Sequence, residues 1–153
     1  MGHYTTKVKK GFTIIEVMIV LAIAGLIMLI VLIAIPQLQR NQRNSARRDI
    51  AGRVKTEIDN YAANNNGAAP DASTLAGFNT RYLTGVNIND PRESTTFAPV
   101  ISAATTTAGA TVGRLDYRPG YVCNGEAIQT GGGRQYALFT QLEGGAIFCL
   151  DNR

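Results

Sequence analysis

A chain of 153 residues with 45% hydrophobic residues and a formal net charge of +4 has room for one sizeable core and no second. Two cysteines and a single histidine, His3, exclude a zinc site built from four Cys and His ligands and leave no histidine for general-base chemistry once the N-terminus is lost. The basic balance, with a sequence pI near 9.3, invites an acidic partner until the charges are located along the chain.

The chain opens on a polar leader that ends in Lys9, Lys10 and Gly11, followed by FTIIEVMIVLAIAGLIMLIVLIAI. Val17 to Ile35 holds no charged residue, and about 20 apolar residues at roughly 1.5 Å each cover the roughly 30 Å hydrocarbon core of a bilayer. A secretory signal would place its small-residue cleavage site after a shorter apolar core. Here the small residue, Gly11, comes first, so a cut at that point removes residues 1–11 and leaves the helix attached. Met1, Gly2 and Thr6 match an N-myristoylation pattern, but on a leader destined for removal. The single charge in the apolar segment is Glu16, and a carboxylate there costs a few kcal/mol. It either snorkels to the headgroups or pairs with a cation, and cleavage after Gly11 would supply one as the new amine of Phe12.

The series Lys9, Lys10, Gly11, Phe12, with Glu16 in the fifth position after the cut, resembles the class III leader and N-terminal helix of type IV pilins and of the pseudopilins of type II secretion. The resemblance covers residues 9 to about 39, including Gly25 and the AIPQLQ run. It implies cleavage between Gly11 and Phe12 by a prepilin peptidase, N-methylation of Phe12, and a role for Glu16 in subunit assembly. It also implies an assembly ATPase and a platform protein as partners, with copies of the chain itself forming a helical homopolymer. Membrane lipid would surround the helix beforehand. Such filaments serve adhesion, twitching motility or DNA uptake. Gly25 and Pro36 stand eleven apart, whereas pilins commonly place them eight apart. Gly25, Pro36 and the β-branched residues between them make this the weakest stretch of the helix, expected to stay helical in lipid and to unwind in a filament.

Residues 12–36 thus read as a transmembrane and polymerisation helix and 37–66 as its amphipathic continuation, with Ala46, Ile50, Val54, Ile58 and Ala62 spaced by four and Tyr61 beside them. Pro36 would disturb the helix mildly, and Gly67 is the expected C-cap. Loss of the leader leaves twelve basic residues against eleven acidic, a net of +1, and residues 40–55 hold +5 of it, from Arg40, Arg43, Arg47, Arg48, Arg53 and Lys55 against Asp49. Residues 56–153 carry −3. The arginines of the belt could neutralise nucleic-acid phosphates, but filament contacts or lipid headgroups claim them first.

Residues 67–111 read as an irregular loop with short strands at most near Tyr82 to Ile88 and Phe97 to Ile101, and Ser102 to Thr111 as an exposed loop open to O-glycosylation. Residues 112–153 read as an antiparallel meander, Val112 to Arg118, Tyr121 to Asn124, Arg134 to Glu143 and Ala146 to Leu150, split by glycine-rich turns. Tyr136, Leu138, Thr140 and Leu142 alternate so that one face can cover the helix stripe. Cys123 and Cys149 fall on separate strands, and in an exported domain such a pair closes a disulfide. It resembles the disulfide that closes the C-terminal region of many type IV pilins. The expected fold is α+β: a long N-terminal helix whose second half packs against a small antiparallel sheet. No nucleophile elbow or phosphate loop is present, and Asp116, Glu126 and Asp151 read as solvated carboxylates rather than a calcium site. The chain reads as a structural protein that needs no cofactor and no metal, working first in the bacterial cytoplasmic membrane and then in a surface filament. A pseudopilin of a secretion or competence machine is the alternative, followed by a signal-anchored domain that never polymerises.

Overall fold

The computed structural model describes residues 11–102 and 106–153. Lys9 and Lys10, and part of the loop expected at Ser102 to Thr111, lie outside the described residues. The chain divides into two compact units, one ending at Gln39 and one formed by Arg40–Arg153. In chain order the elements are α1 (Ile14–Asn64), α2 (Leu75–Tyr82), β1 (Pro99–Ile101), β2 (Leu115–Pro119), β3 (Tyr121–Asn124), β4 (Ala127–Thr130), β5 (Tyr136–Gln141) and β6 (Ile147–Asp151).

From Ile14 on, the described residues of the first unit are helix, and none of them is buried. The apolar side chains from Phe12 to Leu38 are exposed, Phe12 at 90% and Leu32 and Ile33 at 71%. The helix runs through Gly25 and keeps Pro36 inside it. One stretch of α1 is long and apolar enough to cross a membrane. In lipid that exposure costs nothing, and the helical pattern pairs the backbone groups that lipid cannot.

In the second unit α1 changes character. Arg47, Ile50, Ala51, Val54 and Ile58 are buried, a recurrence of three and four that puts one stripe against the sheet. The helix ends where Asn66 and Gly67 take positive φ angles of 55° and 80°, and the Gly67 amide donates to the Ala62 carbonyl at 2.8 Å. An L residue resists that conformation, so Gly67→Ala should lower unfolding stability by about 1 kcal/mol. Thermal melts of parent and variant check this directly.

The main sheet has strand order β1-β2-β5-β6, and β3-β4 form a separate hairpin. β1 runs parallel to β2, whereas β2-β5 and β5-β6 are antiparallel. The chain therefore leaves the sheet after β2, makes the β3-β4 hairpin, and returns as β5 in the middle, so the expected simple meander is not formed. The strand β4 lies in a segment that the sequence reading gave no element. Strand β5 is also buried on both faces. Tyr136 and Leu138 join Val54, Ile58, Phe78, Phe97, Leu115 and Tyr117 on the helix side. Ala137 and Phe139 join Ile128 beneath the hairpin, with Tyr121, Cys123, Ile147 and Cys149 packed around them.

The segment expected to be irregular contains α2, and Tyr82 to Ile88 is the end of that helix and a turn, not a strand. Eight residues of modest helix propensity hold because Leu75 and Phe78 are buried in the core and because Asp71 Oδ1 accepts the Ser73 and Thr74 amides, each at 2.9 Å. The Ser73 and Thr74 hydroxyls, with those amides, hold the Asp71 carboxyl down at about 2. In the loop expected to be exposed, Thr106, Ala108, Gly109 and Thr111 are exposed, whereas Ser102 and Ala110 are buried at 8% exposure.

Candidate functional site

Of the residues singled out at the N-terminus, Gly11, Phe12 and Glu16 lie at the start of α1 and just before it. Phe12 is almost fully exposed, and a groove on the helix surface is lined by Phe12, Glu16, Val17, Val20 and Leu21. Glu16 is built into the start of the helix. Its Oε2 accepts the Thr13 amide and the Thr13 hydroxyl, both at 2.8 Å, while Thr13 Oγ1 accepts the Glu16 amide at 3.3 Å. This is a capping box, Thr-x-x-Glu before an apolar run, and it satisfies amides that a helix start leaves unpaired. The sequence reading missed it, although Thr13 and Glu16 stand at the required spacing. Glu16 has no cationic partner among the described residues, so its carboxylate remains available for the amine that cleavage would create at Phe12.

The belt of arginines after Pro36 is placed otherwise than expected. Arg47 is fully buried, its Nε donating to Asp90 Oδ2 at 2.6 Å and its Nη2 to Asp90 Oδ1 at 3.0 Å, with both side chains at 0% exposure. Its Nη1 reaches Glu143 Oε1 at 3.0 Å. Arg43 grips the same Glu143 through Nε and Nη2 at 2.6 and 2.7 Å. Asn44 completes the clasp, donating to the Glu143 carbonyl at 3.0 Å and accepting its amide at 2.9 Å. Arg43 and Arg47 together hold the Glu143 carboxyl down at about 2. Burial opposes ionisation of Asp90, yet Arg47 and the Arg92 and Glu93 amides hold its carboxyl below the usual range.

Farther along, Arg53 pairs with Asp49 one turn back, and Arg48 lies 5.7 Å from the Phe148 ring centroid. Two of the arginines read as available for phosphates therefore belong to an internal clasp joining α1, the 90–93 turn and the β5-β6 turn. Arg40, Arg48 and Arg53 remain exposed.

Cys123 and Cys149 are joined as a disulfide with a Cα–Cα distance of 5.9 Å, tying β3 to β6. The Cys123 amide also donates to Asp151 Oδ2 at 2.7 Å. Asp116 is buried beside Arg114 at 2.9 Å, and its carboxyl is pushed up by burial. Asp151 pairs with Arg153 at 3.0 Å. Among the described residues no group of three or more His, Cys, Asp or Glu side chains is placed to hold a metal.

Residues 6–32 match the family model described as the prokaryotic N-terminal methylation motif. No curated protein and no solved structure matches the chain. The match spans Gly11, Phe12, Glu16 and Gly25.

Proposed function

We propose, from the premise that a class III leader ahead of a long apolar helix makes this a type IV pilin-like chain, that it is the structural subunit of a type IV pilus. The observation that carries the reading is the start of α1: an exposed Phe12, a carboxylate at Glu16 and an apolar helix surface that no other described residue covers. A membrane-anchored precursor is held by that surface in lipid. Neighbouring copies cover the same surface in a filament.

In this reading a prepilin peptidase cuts after Gly11, with Lys9 and Lys10 holding the leader on the cytoplasmic side, and Phe12 is methylated. An assembly ATPase and a platform protein draw the subunit from the membrane into a homopolymer serving adhesion, motility or DNA uptake. The Phe12 amine of one copy pairs with Glu16 of its neighbour and sets the axial register. Residues Gly25 to Pro36, helical in the single chain, unwind within the filament, where each residue can lengthen the path from about 1.5 Å to about 3.3 Å. The disulfide-closed C-terminal region supports a pilus over a pseudopilin.

Electron microscopy of sheared surface filaments, with mass spectrometry of their subunit, tests this. The expected subunit begins at a methylated Phe12. Gly11→Val should leave full-length precursor in the membrane and no filaments. Glu16→Ala should be inserted and cut, yet fail to assemble; parental amounts of filament from that variant would defeat the register role. Filaments that form only short, periplasmic stubs would assign the chain to a secretion machine instead.

A further inference from the structure

The last turn of α1 and the helix α2 enclose an open cleft of about 310 Å³, at the lower end of the range of small-molecule sites. Its wall is aromatic. Tyr61 meets Phe78 edge-on at 5.8 Å and Tyr82 at 5.4 Å, and Phe78 stacks on Tyr82 at 5.5 Å. Phe78 is buried, while Tyr61 and Tyr82 are half-buried and face the cleft with part of their rings. Neither of their hydroxyls has a hydrogen-bond partner among the described residues. Arg81, on the rim, is exposed and has no ion pair among them. No acidic side chain lines the cleft. The carboxylate nearest in sequence, Asp71, is occupied by Ser73 and Thr74.

Gly77, inside α2, is exposed and lines the cleft. Its backbone does not need glycine, and a Cβ there would meet nothing within 4 Å. Glycine in a helix interior weakens the helix, so the fold gains nothing from it. What glycine leaves at this position is open space along the cleft, part of which a larger side chain would fill.

We propose that this cleft binds a saccharide bearing a carboxylate. Half-exposed tyrosine rings offer flat apolar faces to the C–H side of a sugar ring, and their unpartnered hydroxyls, with Asn65, offer hydrogen bonds to its hydroxyl groups. Arg81 supplies a fork of donors for the carboxylate in a cleft with no acid to compete for it.

Saturation-transfer NMR on the full chain in detergent micelles tests the assignment with three probes: methyl β-D-glucuronide, methyl β-D-glucoside and benzoate. The glucuronide should bind, with the neutral glucoside about tenfold weaker for want of the charge-assisted contact. Gly77→Gln should fold with a melting temperature at or above the parent's and lose the glucuronide signal. Arg81→Gln should bring the two sugars to equal affinity. No transfer to the glucuronide, transfer unchanged in Gly77→Gln, or a preference for benzoate over both sugars would each overturn the proposal.

Discussion

Asp90→Ala should lower the unfolding stability of the Arg40–Arg153 unit by about 3 to 5 kcal/mol, the usual result of removing one partner from a buried ion pair. The loss is large because Arg47 is at 0% exposure and would keep its charge with two of its three side-chain hydrogen bonds gone. Replacing both partners, as Arg47→Met with Asp90→Leu, should recover much of that loss, since a buried pair is often no better than apolar residues of similar size. Chemical denaturation of the two variants decides the matter, and a loss under about 1 kcal/mol for Asp90→Ala would show that the clasp does not hold the fold.

The same clasp sets an acid limit. The carboxyl of Glu143 titrates at about 2 in the fold against an ordinary 4.5. A depressed carboxyl contributes stability in full above its unfolded value and loses it as pH falls through the folded one. Stability should therefore be insensitive to this group above pH 4.5 and decline from there toward pH 2. Glu143→Gln should start lower at neutral pH and show a shallower decline across that window.

Loss of the disulfide is the second large effect. For a sequence separation of 26, the loop-entropy relation gives about 3 to 4 kcal/mol. Cys123→Ala with Cys149→Ala, or reduction of the native chain, should lower the melting midpoint accordingly. The damage should start in the β3-β4 hairpin, which otherwise rests on the contacts around Phe139 and Ile128. Hydrogen exchange of the reduced protein should show early loss of protection at Val122 and Ile128 while Leu138 holds. A midpoint unchanged by reduction would refute the estimate.

The parts legible in the sequence were those governed by local pattern. An uncharged run from Val17 to Ile35 can be little else than a lipid-length helix, and the spacing of Ile50, Val54 and Ile58 marks a buried stripe. The capping box of Thr13 and Glu16 is equally local, its spacing of three visible in the sequence beside the charge of Glu16. Arg47 was beyond local reading. Its partners lie 43 and 96 residues away, and nothing near it in sequence separates a buried arginine from its exposed neighbours in the belt. The double burial of β5 had a visible sign, since Ala137 and Phe139 are as apolar as Leu138, where a half-buried strand would alternate with polar residues. Helix α2 and the parallel β1-β2 pair were opaque for a different reason. Each is short, and each is stabilised by what packs on it more than by its own residues.

The helix stripe and the strand that covers it stand at opposite ends of the Arg40–Arg153 unit. Arg43 and Glu143 are separated by 100 positions, and Tyr136 and Leu138 meet Val54 and Ile58 across nearly as long a stretch. A ribosome delivers the stripe early and its cover late. During the interval Ile50, Val54 and Ile58 have only Leu75, Phe78, Leu83, Ile88, Phe97, Leu115 and Tyr117 to cover them, and the contacts to β5 span a loop whose entropy must be overcome first. The core is completed only after β5 and β6 have emerged, and a nascent chain stalled before Tyr136 leaves part of the apolar seam open to chaperones and proteases.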